Sequence, residues 1–184
     1  MAATDLSGRS TQLQQAMSSS VSIRTASSND CDDVTSLLKE SYPALMCHAY
    51  DDSILNMALP LITVAQPTLL RSGSYYVAET PDGLIVGCGG WTKERPGSSE
   101  VRPGLGHIRH FGVHPDWTRQ GIGNRIYARC VKDAKSEGVQ RLECYSSLNG
   151  EVFYSALGFE SAGLIEVEIV DGIKFPSVHM LTEI

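Results

Sequence analysis

Long apolar runs, clustered basic residues and paired cysteines are all missing from this chain of 184 residues. Without about 20 consecutive apolar residues, the sequence predicts no membrane-spanning helix. The N-terminus also lacks the basic-then-apolar pattern of a secretory signal. The formal net charge of -6 argues against nucleic acid as the main partner, because phosphate contacts need clustered Lys and Arg. We therefore expect neither a membrane nor a nucleic-acid partner.

The cysteines exclude two further classes of protein. There are five, an odd number, and they are scattered without a Cys-x-x-Cys pair. This usage indicates reduced thiols in a cytoplasmic protein rather than a disulfide framework or a zinc site, so no metal is expected. Cys88 and Cys144 fall in apolar, strand-like runs, and we expect both in the core.

What is present suits a single globular domain with a sizeable core. Residues 1–20 are rich in Ser, Gln and Ala, which predicts a disordered or loosely helical tail, and the domain is then 21–184. A helix capped by Asn29 or Asp30 should end at Pro43. The segment 42–50, rich in aromatic and soft side chains, either roofs the core or lines an acceptor pocket. The remaining predicted elements are strands at 21–24, 75–79, 84–92, 107–113, 141–147, 164–170 and 175–181, and helices at 53–61, 122–136 and 151–157.

The most informative stretch runs from His107 to Lys135. A β-favouring strand, whose residues 107, 109, 111 and 113 should share one face, is broken at Pro115. A turn with Gly121 and Gly123 follows, and then a helical pattern. Strand, glycine-rich turn and helix together make an anion site, because the free N–H groups of a first helical turn attract phosphate. A tight turn without a ligand is the alternative on the glycines alone.

Two common phosphate motifs do not fit this turn. A Walker loop needs Gly-Lys followed by Ser or Thr, whereas the turn ends in Gly123-Asn124-Arg125. A dinucleotide fingerprint needs a third glycine where Ile126 stands. The stretch instead resembles the acyl-CoA motif of the GNAT N-acetyltransferases: Val113-His114-Pro115 ends the strand, and Thr118-Arg119-Gln120-Gly121-Ile122-Gly123 forms the loop. Thr118 departs from the Gln or Arg of that motif.

A second motif strengthens the resemblance. Phe153-Tyr154-Ser155-Ala156-Leu157-Gly158-Phe159 is similar to the Phe-Tyr-x-x-x-Gly-Phe signature of the same family, and follows the first motif in the expected order. The resemblance covers roughly 21–184. It implies an α/β (α+β) GNAT acyl-CoA N-acyltransferase fold, with a mixed sheet of about seven strands and helices on both faces.

The resemblance also implies a cofactor site. The strands ending at Val113 and Ser147 should splay into a V that holds the pantetheine arm of acetyl-CoA, and an N–H on the first strand should polarise the thioester carbonyl. Ser147 stands where many members carry Asn, and Asn149 is the possible substitute. The residues implied in cofactor binding are Phe111, Gly112, Val113, Thr118, Arg119, Gln120, Gly121, Ile122, Gly123, Asn124, Ser147, Asn149 and Tyr154.

Catalysis is implied in the same way. Tyr154 resembles the family's general acid, which protonates the leaving CoA thiolate. His107 stands where some members place a general base, with His110 or water as alternatives. Possible acceptor-binding groups are Glu100, Arg102 and Arg109. Trp91 either lies near the acceptor or packs in the core.

These features together predict an acetyl-CoA-dependent N-acetyltransferase that acts directly on a primary amine of a small molecule or protein. The alternative is a catalytically silent acyl-CoA-binding regulatory or sensor module. A homodimer through the late strands is an expectation from the resemblance.

Overall fold

The computed structural model describes residues 20–170 and 172–184. The predicted tail, 1–20, lies outside the described residues apart from Ser20, so the boundary at residue 21 stays a prediction. The strands are β1 (Ser22–Thr25), β2 (Tyr75–Glu79), β3 (Ile85–Thr92), β4 (Leu105–Val113), β5 (Arg141–Ser147), β6 (Glu160–Val170) and β7 (Ile173–Glu183). The helices are α1 (Cys31–Met46), α2 (Asp52–Ile62), α3 (Pro67–Leu70), α4 (Ile122–Ser136) and α5 (Glu151–Ala156), with 3-10 turns at Ser28–Asp30, Pro115–Trp117 and Leu148–Gly150.

In the described chain the strands form one open mixed sheet in the order β1-β2-β3-β4-β5-β7-β6. Neighbouring strands run antiparallel except β4 and β5, which are parallel. A parallel pair needs a long crossover, and α4 supplies it. The predicted mixed sheet of about seven strands is confirmed.

Helices cover both faces of this sheet. Helices α1, α2 and α3 pack on one side, here called the α1 face, around Leu38, Tyr75 and Cys88. Helices α4 and α5 pack on the other, the α4 face, around Ile126 and Leu142. The α4 face also buries Trp91 and Cys144, so both are core residues, and Cys88 is equally buried on the α1 face. Successive strand residues point to opposite faces, which is why each strand feeds both clusters.

The prediction that Pro43 ends the first helix is wrong. Helix α1 continues through Pro43 to Met46. Proline removes one helical hydrogen bond, a cost of about 3 kcal/mol in a helix interior. Tyr42 and Met46, on either side of Pro43, are both buried in the α1-face cluster, and this packing holds the last turn in place. Tertiary contacts here outweigh a local signal.

The prediction that His107, Arg109, Phe111 and Val113 share one face is also wrong. His110 has a left-handed backbone (φ 46), and the pairing of β4 with β3 shifts register there. Such a β-bulge inserts one residue and reverses the alternation beyond it. His107 and Arg109 therefore lie on the α1 face, while Phe111 and Val113 pack against the α4-face cluster.

Candidate active site

Strands β4 and β5 separate to form a V-shaped gap. Of the described residues, only three pairs join them: Leu105 with Arg141, Gly106 with Leu142, and His107 with Glu143. Beyond that point β4 pairs only with β3 and β5 only with β7. His107 and Glu143 therefore mark the apex of the V, and the ends of both strands face an open space between them.

The β-bulge turns one peptide group out of the plane of the sheet. The carbonyl of His110 accepts a hydrogen bond from the hydroxyl of Tyr75, 2.9 Å away on the α1 face. In a trans peptide the C=O and the following N–H point in opposite directions. The N–H of Phe111 is therefore directed towards the α4 face, where the ring of Tyr154 lies 6.2 Å from that of Phe111.

The backbone of Val113 also points into the gap. The N–H of His114 bonds the carbonyl of Val86 in β3 at 2.9 Å, so alternation directs the polar groups of Val113 the other way. The carbonyl of Val113 accepts a hydrogen bond of 2.8 Å from the buried hydroxyl of Ser41 on α1. Gly112, which precedes Val113 in β4, faces α1, and a Cβ added to it would lie 2.9 Å from Leu38. Glycine at 112 thus allows α1 to approach the strand.

The glycine-rich turn has the shape of an anion site. Arg119 (φ 63) and Gly121 (φ 78) are both left-handed, and no side chain caps α4. The first bond of the helix runs from the N–H of Arg125 to the carbonyl of Gly121, so the N–H groups of Ile122, Gly123 and Asn124 precede it without helical partners. These amides, with the positive end of the helix dipole, favour a phosphate.

Other side chains of the turn hold its conformation. The hydroxyl of Thr118 donates to the carbonyl of Pro115 at 2.9 Å, and the amide of Gln120 donates to the carbonyl of Asp116 at 3.1 Å. Ile122 is 1% exposed and belongs to the core. The motif position occupied by Thr118 thus contributes to the loop's own structure.

Aromatic side chains form a wall beside this turn. A Cβ on Gly123 would come within 3.0 Å of the ring of Phe153, so only glycine lets α5 pack this closely on the start of α4. Phe153 and Tyr154 lie with ring centroids 5.1 Å apart, and Phe111 contacts both. Burial raises the pKa of Tyr154 well above its usual value, so the phenol keeps its proton at neutral pH.

The 3-10 turn that follows β5 carries a buried polar atom. The side-chain oxygen of Asn149 is buried and has no hydrogen-bond partner among the described residues. A buried acceptor of this kind normally finds a donor. The Ser147 hydroxyl lies close to Gly150, where an added Cβ would approach it to 3.0 Å. An amide N–H of a ligand would satisfy Asn149, so the residues present fit a pantetheine-bearing phosphate ester.

A polar row crosses the α1 face at the apex of the V. Nδ1 of His107 lies 3.2 Å from Oε2 of Glu143, and Nε2 of His179 lies 2.6 Å from Oε1 of the same carboxylate. The His179 contact is short but poorly aligned for a hydrogen bond. At the other end of the row, Nη1 of Arg109 donates to the hydroxyl of Thr92 at 3.0 Å. Pairing of Thr92 with His107 and of His107 with Glu143 brings these groups into line.

Burial sets the protonation of both candidate histidines. It lowers the pKa of His107, and the nearby Glu143 carboxylate opposes this only in part, so the imidazole is neutral at pH 7. Burial, with a smaller contribution from Arg109, lowers the pKa of His110 to about 4. Both rings can accept a proton, but His110 holds one far less well.

A cavity of about 600 Å³ lies beside the end of β5. The hydroxyl of Tyr50 accepts from the N–H of Leu148 at 2.7 Å and donates to the carbonyl of Pro176 at 2.8 Å, tying the ends of β5 and β7 together. In the segment 42–50, Tyr42 and Met46 cover the core as one alternative expected, and residues 47–50 line the cavity; that this cavity receives the acceptor stays a prediction. The lining residues are Cys47, His48, Ala49, Tyr50, Asp51, Ile54, Leu148 and Pro176.

Comparison with known proteins agrees with this geometry. Residues 71–161 match the family model of the acetyltransferase (GNAT) domain. The chain belongs to the GNAT N-acetyltransferase superfamily. A sequence search of curated proteins found no match to this GNAT chain.

Solved GNAT structures share the fold. A GCN5-related N-acetyltransferase from Rhodopseudomonas palustris has 18% identity and a TM-score of 0.67, over 90% of this chain and 96% of that one. PaiA N-acetyltransferase from Thermoplasma acidophilum, in complex with coenzyme A, has 16% identity and a TM-score of 0.64, and the match covers 90% of this chain and 99% of that one. YncA from Salmonella typhimurium, with its cofactor acetyl-CoA, has 18% identity and a TM-score of 0.57, and the match covers 89% of this chain and 93% of that one.

Sequence reasoning missed several residues of this GNAT site. Glu143 stands between Leu142 and Cys144, and a carboxylate inside an apolar strand was a usable signal. His179 has the same setting between Val178 and Met180 in β7. Ser41 carried no such signal, because only the packing of α1 on β4 brings it to Val113.

Three further observations concern the thiols, membrane-spanning helices and metal ligands. All five cysteines are free thiols, with Cys88, Cys130 and Cys144 buried. Among residues 20–170 and 172–184, no helix is long and apolar enough to cross a membrane. The same residues contain no cluster of His, Cys, Asp and Glu suited to a metal ion.

Proposed function

We propose that this protein transfers the acetyl group of acetyl-CoA directly to a primary amine. The observation that carries the proposal is the V-shaped gap, with a phosphate-binding turn at its end, a protonated Tyr154 on the α4 face and a neutral His107 at its apex. A cofactor thioester in the gap would have a proton acceptor on one side and a proton donor on the other. This arrangement suits acyl transfer.

Acetyl-CoA would supply an activated acetyl group, whose C–S bond breaks as the new C–N bond forms. The amides of Ile122, Gly123 and Asn124 would hold its pyrophosphate. The gap edges of β4 and β5, with Asn149, would bind the pantetheine arm. The N–H of Phe111, turned out of the sheet by the bulge, would polarise the thioester carbonyl, a kind of contact often worth about 3 kcal/mol.

His107 is the better candidate for the general base. With Nδ1 directed at Glu143, its other nitrogen is left as the proton acceptor. His107 would remove a proton from the incoming ammonium and leave a nucleophilic amine. His110 remains the alternative, but a base whose pKa is about 4 gains little from taking a proton near pH 7. Water in the gap is the third possibility.

Tyr154 would donate its proton to the sulfur as the C–S bond breaks. The second proton that the nitrogen loses in becoming an amide then returns the phenol to its neutral form. The raised pKa of Tyr154 keeps its phenol protonated at neutral pH, so a proton is available beside the sulfur when the C–S bond breaks. Base and acid lie on opposite faces of the sheet, so the amine would approach from the α1 face.

Steady-state release of the CoA thiol, with a panel of primary amines and mass detection of the N-acetyl product, tests the proposal. We expect turnover with at least one amine, and loss of turnover when acetyl-CoA is replaced by CoA. The sensor module predicts tight CoA binding with no amide formed from any amine. That outcome would overturn the enzymatic proposal and leave the binding site intact.

Two further properties are proposed with the activity. The five free thiols favour a reducing compartment such as the cytoplasm. Self-association through β6 and β7 also stays a prediction. Sedimentation of the full chain tests it, and a monomer at micromolar concentration would contradict it.

A further inference from the structure

One cation beside the site has no counter-charge. The only hydrogen bond that Arg109 makes to a described residue is from Nη1 to Thr92, and no carboxylate of the described chain lies within 4.0 Å of it. A guanidinium carries five N–H donors. The Thr92 hydroxyl is neutral and itself donates to the carbonyl of Glu94, so it compensates little of the charge.

The neighbouring charges are already paired. Glu100 forms ion pairs with Arg102 at 2.8 Å and with Arg95 at 3.6 Å, and Nε of Arg95 also donates to the hydroxyl of Tyr145. The Glu143 carboxylate lies between two histidines. Of the three groups that the sequence offered for acceptor binding, Glu100 and Arg102 therefore neutralise each other at the surface. Arg109 is the one left over.

The surroundings of Arg109 make this costly. Burial lowers the pKa of its guanidinium, with only distant help from Glu94. A partly desolvated cation without a partner costs stability, and natural proteins keep such a group mainly where a ligand completes it. A purely structural arginine in β4 would be expected to pair with a carboxylate, and this one does not.

The position of Arg109 relative to His107 limits what kind of ligand could reach both residues. Thr92, which holds the guanidinium, is directly opposite His107 in the paired strands β3 and β4. Residues opposite each other in such a pair lie about 5 Å apart. A molecule whose amine lies at His107 can therefore reach Arg109 with an anionic group only if its amine and its anionic group are separated by a few bonds.

We propose that Arg109 binds a carboxylate of the acceptor, and that the acceptor is an α-amino acid acetylated on its amine. This inference rests on the proposed function and adds the substrate class. A planar carboxylate can take two parallel N–H bonds from a guanidinium, which would fix the amine beside His107.

The test compares amino acids with their amides. Wild-type protein is given acetyl-CoA with either the twenty amino acids or the matching carboxamides, and N-acetyl products are measured by mass spectrometry. We expect the best acid to exceed its amide by about 10- to 100-fold in kcat/KM, the value of one lost charge-assisted contact. Equal or faster reaction of the amides would overturn the inference while the acetyltransferase proposal stands. No product from either set would overturn the inference, and the panel of other primary amines would then decide whether the acetyltransferase proposal stands.

Variants give an independent arm. Arg109→Met should raise KM for the acid by about 10- to 100-fold and leave the amide rate and CoA affinity unchanged. Arg109→Lys, which keeps the charge but loses the planar fork, should recover part of the loss. Arg102→Met is the matched control, since that side chain is 62% exposed and paired with Glu100, and it should behave as wild type. An unchanged acid KM in both Arg109 variants would contradict the assignment.

Discussion

Tyr154→Phe separates the acid role of the phenol from its packing. The substitution removes one oxygen and keeps the ring, which packs against Phe111, Phe153 and Phe159 with centroids 6.2, 5.1 and 5.3 Å away. No hydrogen bond joins the hydroxyl of Tyr154 to another described residue, so we expect the free energy of unfolding to change by less than about 1 kcal/mol. For a chain of this size that is a shift in Tm of at most about 4 °C.

The catalytic effect should be far larger. General acid catalysis typically contributes about 100- to 10,000-fold, and a loss of 100-fold in kcat corresponds to roughly 2.7 kcal/mol in the barrier. The KM for acetyl-CoA should change little, because the phenol would act on sulfur only as the bond breaks. Release of the CoA thiol at saturating acetyl-CoA measures kcat directly.

Tyr127→Phe is the matched control. Tyr127 is also a buried tyrosine that packs on Phe159, at 5.8 Å, but it lies on α4 rather than α5. It should keep wild-type kcat and the same Tm within a few degrees. Wild-type kcat in Tyr154→Phe would refute the acid role, and an equal loss in both variants would trace the effect to packing.

Three other changes test separate parts of the site. Gly121→Ala and Gly83→Ala place alanine at similar left-handed positions (φ 78 and 90) with nothing within 4 Å, and each should cost about 1–2 kcal/mol of stability. Only Gly121→Ala should weaken CoA binding in calorimetry, by about tenfold or more. Equal CoA affinities of the two variants would contradict the assignment of the turn to phosphate. His107→Gln should abolish an acidic limb of kcat/KM whose pKa lies below 6.5, since protonation disables a base, and a variant that kept the limb would shift the role to water or His110. His110→Asn keeps a residue that tolerates the left-handed backbone and should make the protein more resistant to acid. Between pH 6.5 and 4 the histidine of the unfolded chain binds a proton and that of the folded chain does not. Over this range the free energy of unfolding of the wild type, measured in urea, should therefore fall by roughly 3 kcal/mol more than that of the variant. Parallel pH curves for the two proteins would contradict that burial.

Much of the fold was predictable because each element has a local cause. Alternation around Leu142 and Cys144 and the helical spacing of Ile122, Ile126 and Cys130 identified β5 and α4. The glycines at 121 and 123 marked the turn because glycine takes up a left-handed backbone without strain at 121 and leaves room for Phe153 at 123. These signals depend on neighbours in sequence, which is why they survive without knowledge of the fold.

What failed depends on distant contacts. Nothing local distinguishes His110 as a bulge, yet the bulge moves Phe111 to the α4 face and turns its N–H out of the sheet. The helix continues past Pro43 because the α1 face buries Tyr42 and Met46. The grouping of Arg109, His107, Glu143 and His179 follows from the registers of three strands, β4, β5 and β7, which periodicity does not specify.

The most direct test of the central claim is a calorimetric titration of the full chain with acetyl-CoA, CoA and NAD. We expect micromolar binding of acetyl-CoA and CoA and none of NAD, because the turn would offer its amides to the pyrophosphate and the V-shaped gap would hold a pantetheine arm, which NAD lacks. Binding of neither CoA species would mean that gap and turn serve only the fold, and equal binding of NAD would mean that the gap selects nothing.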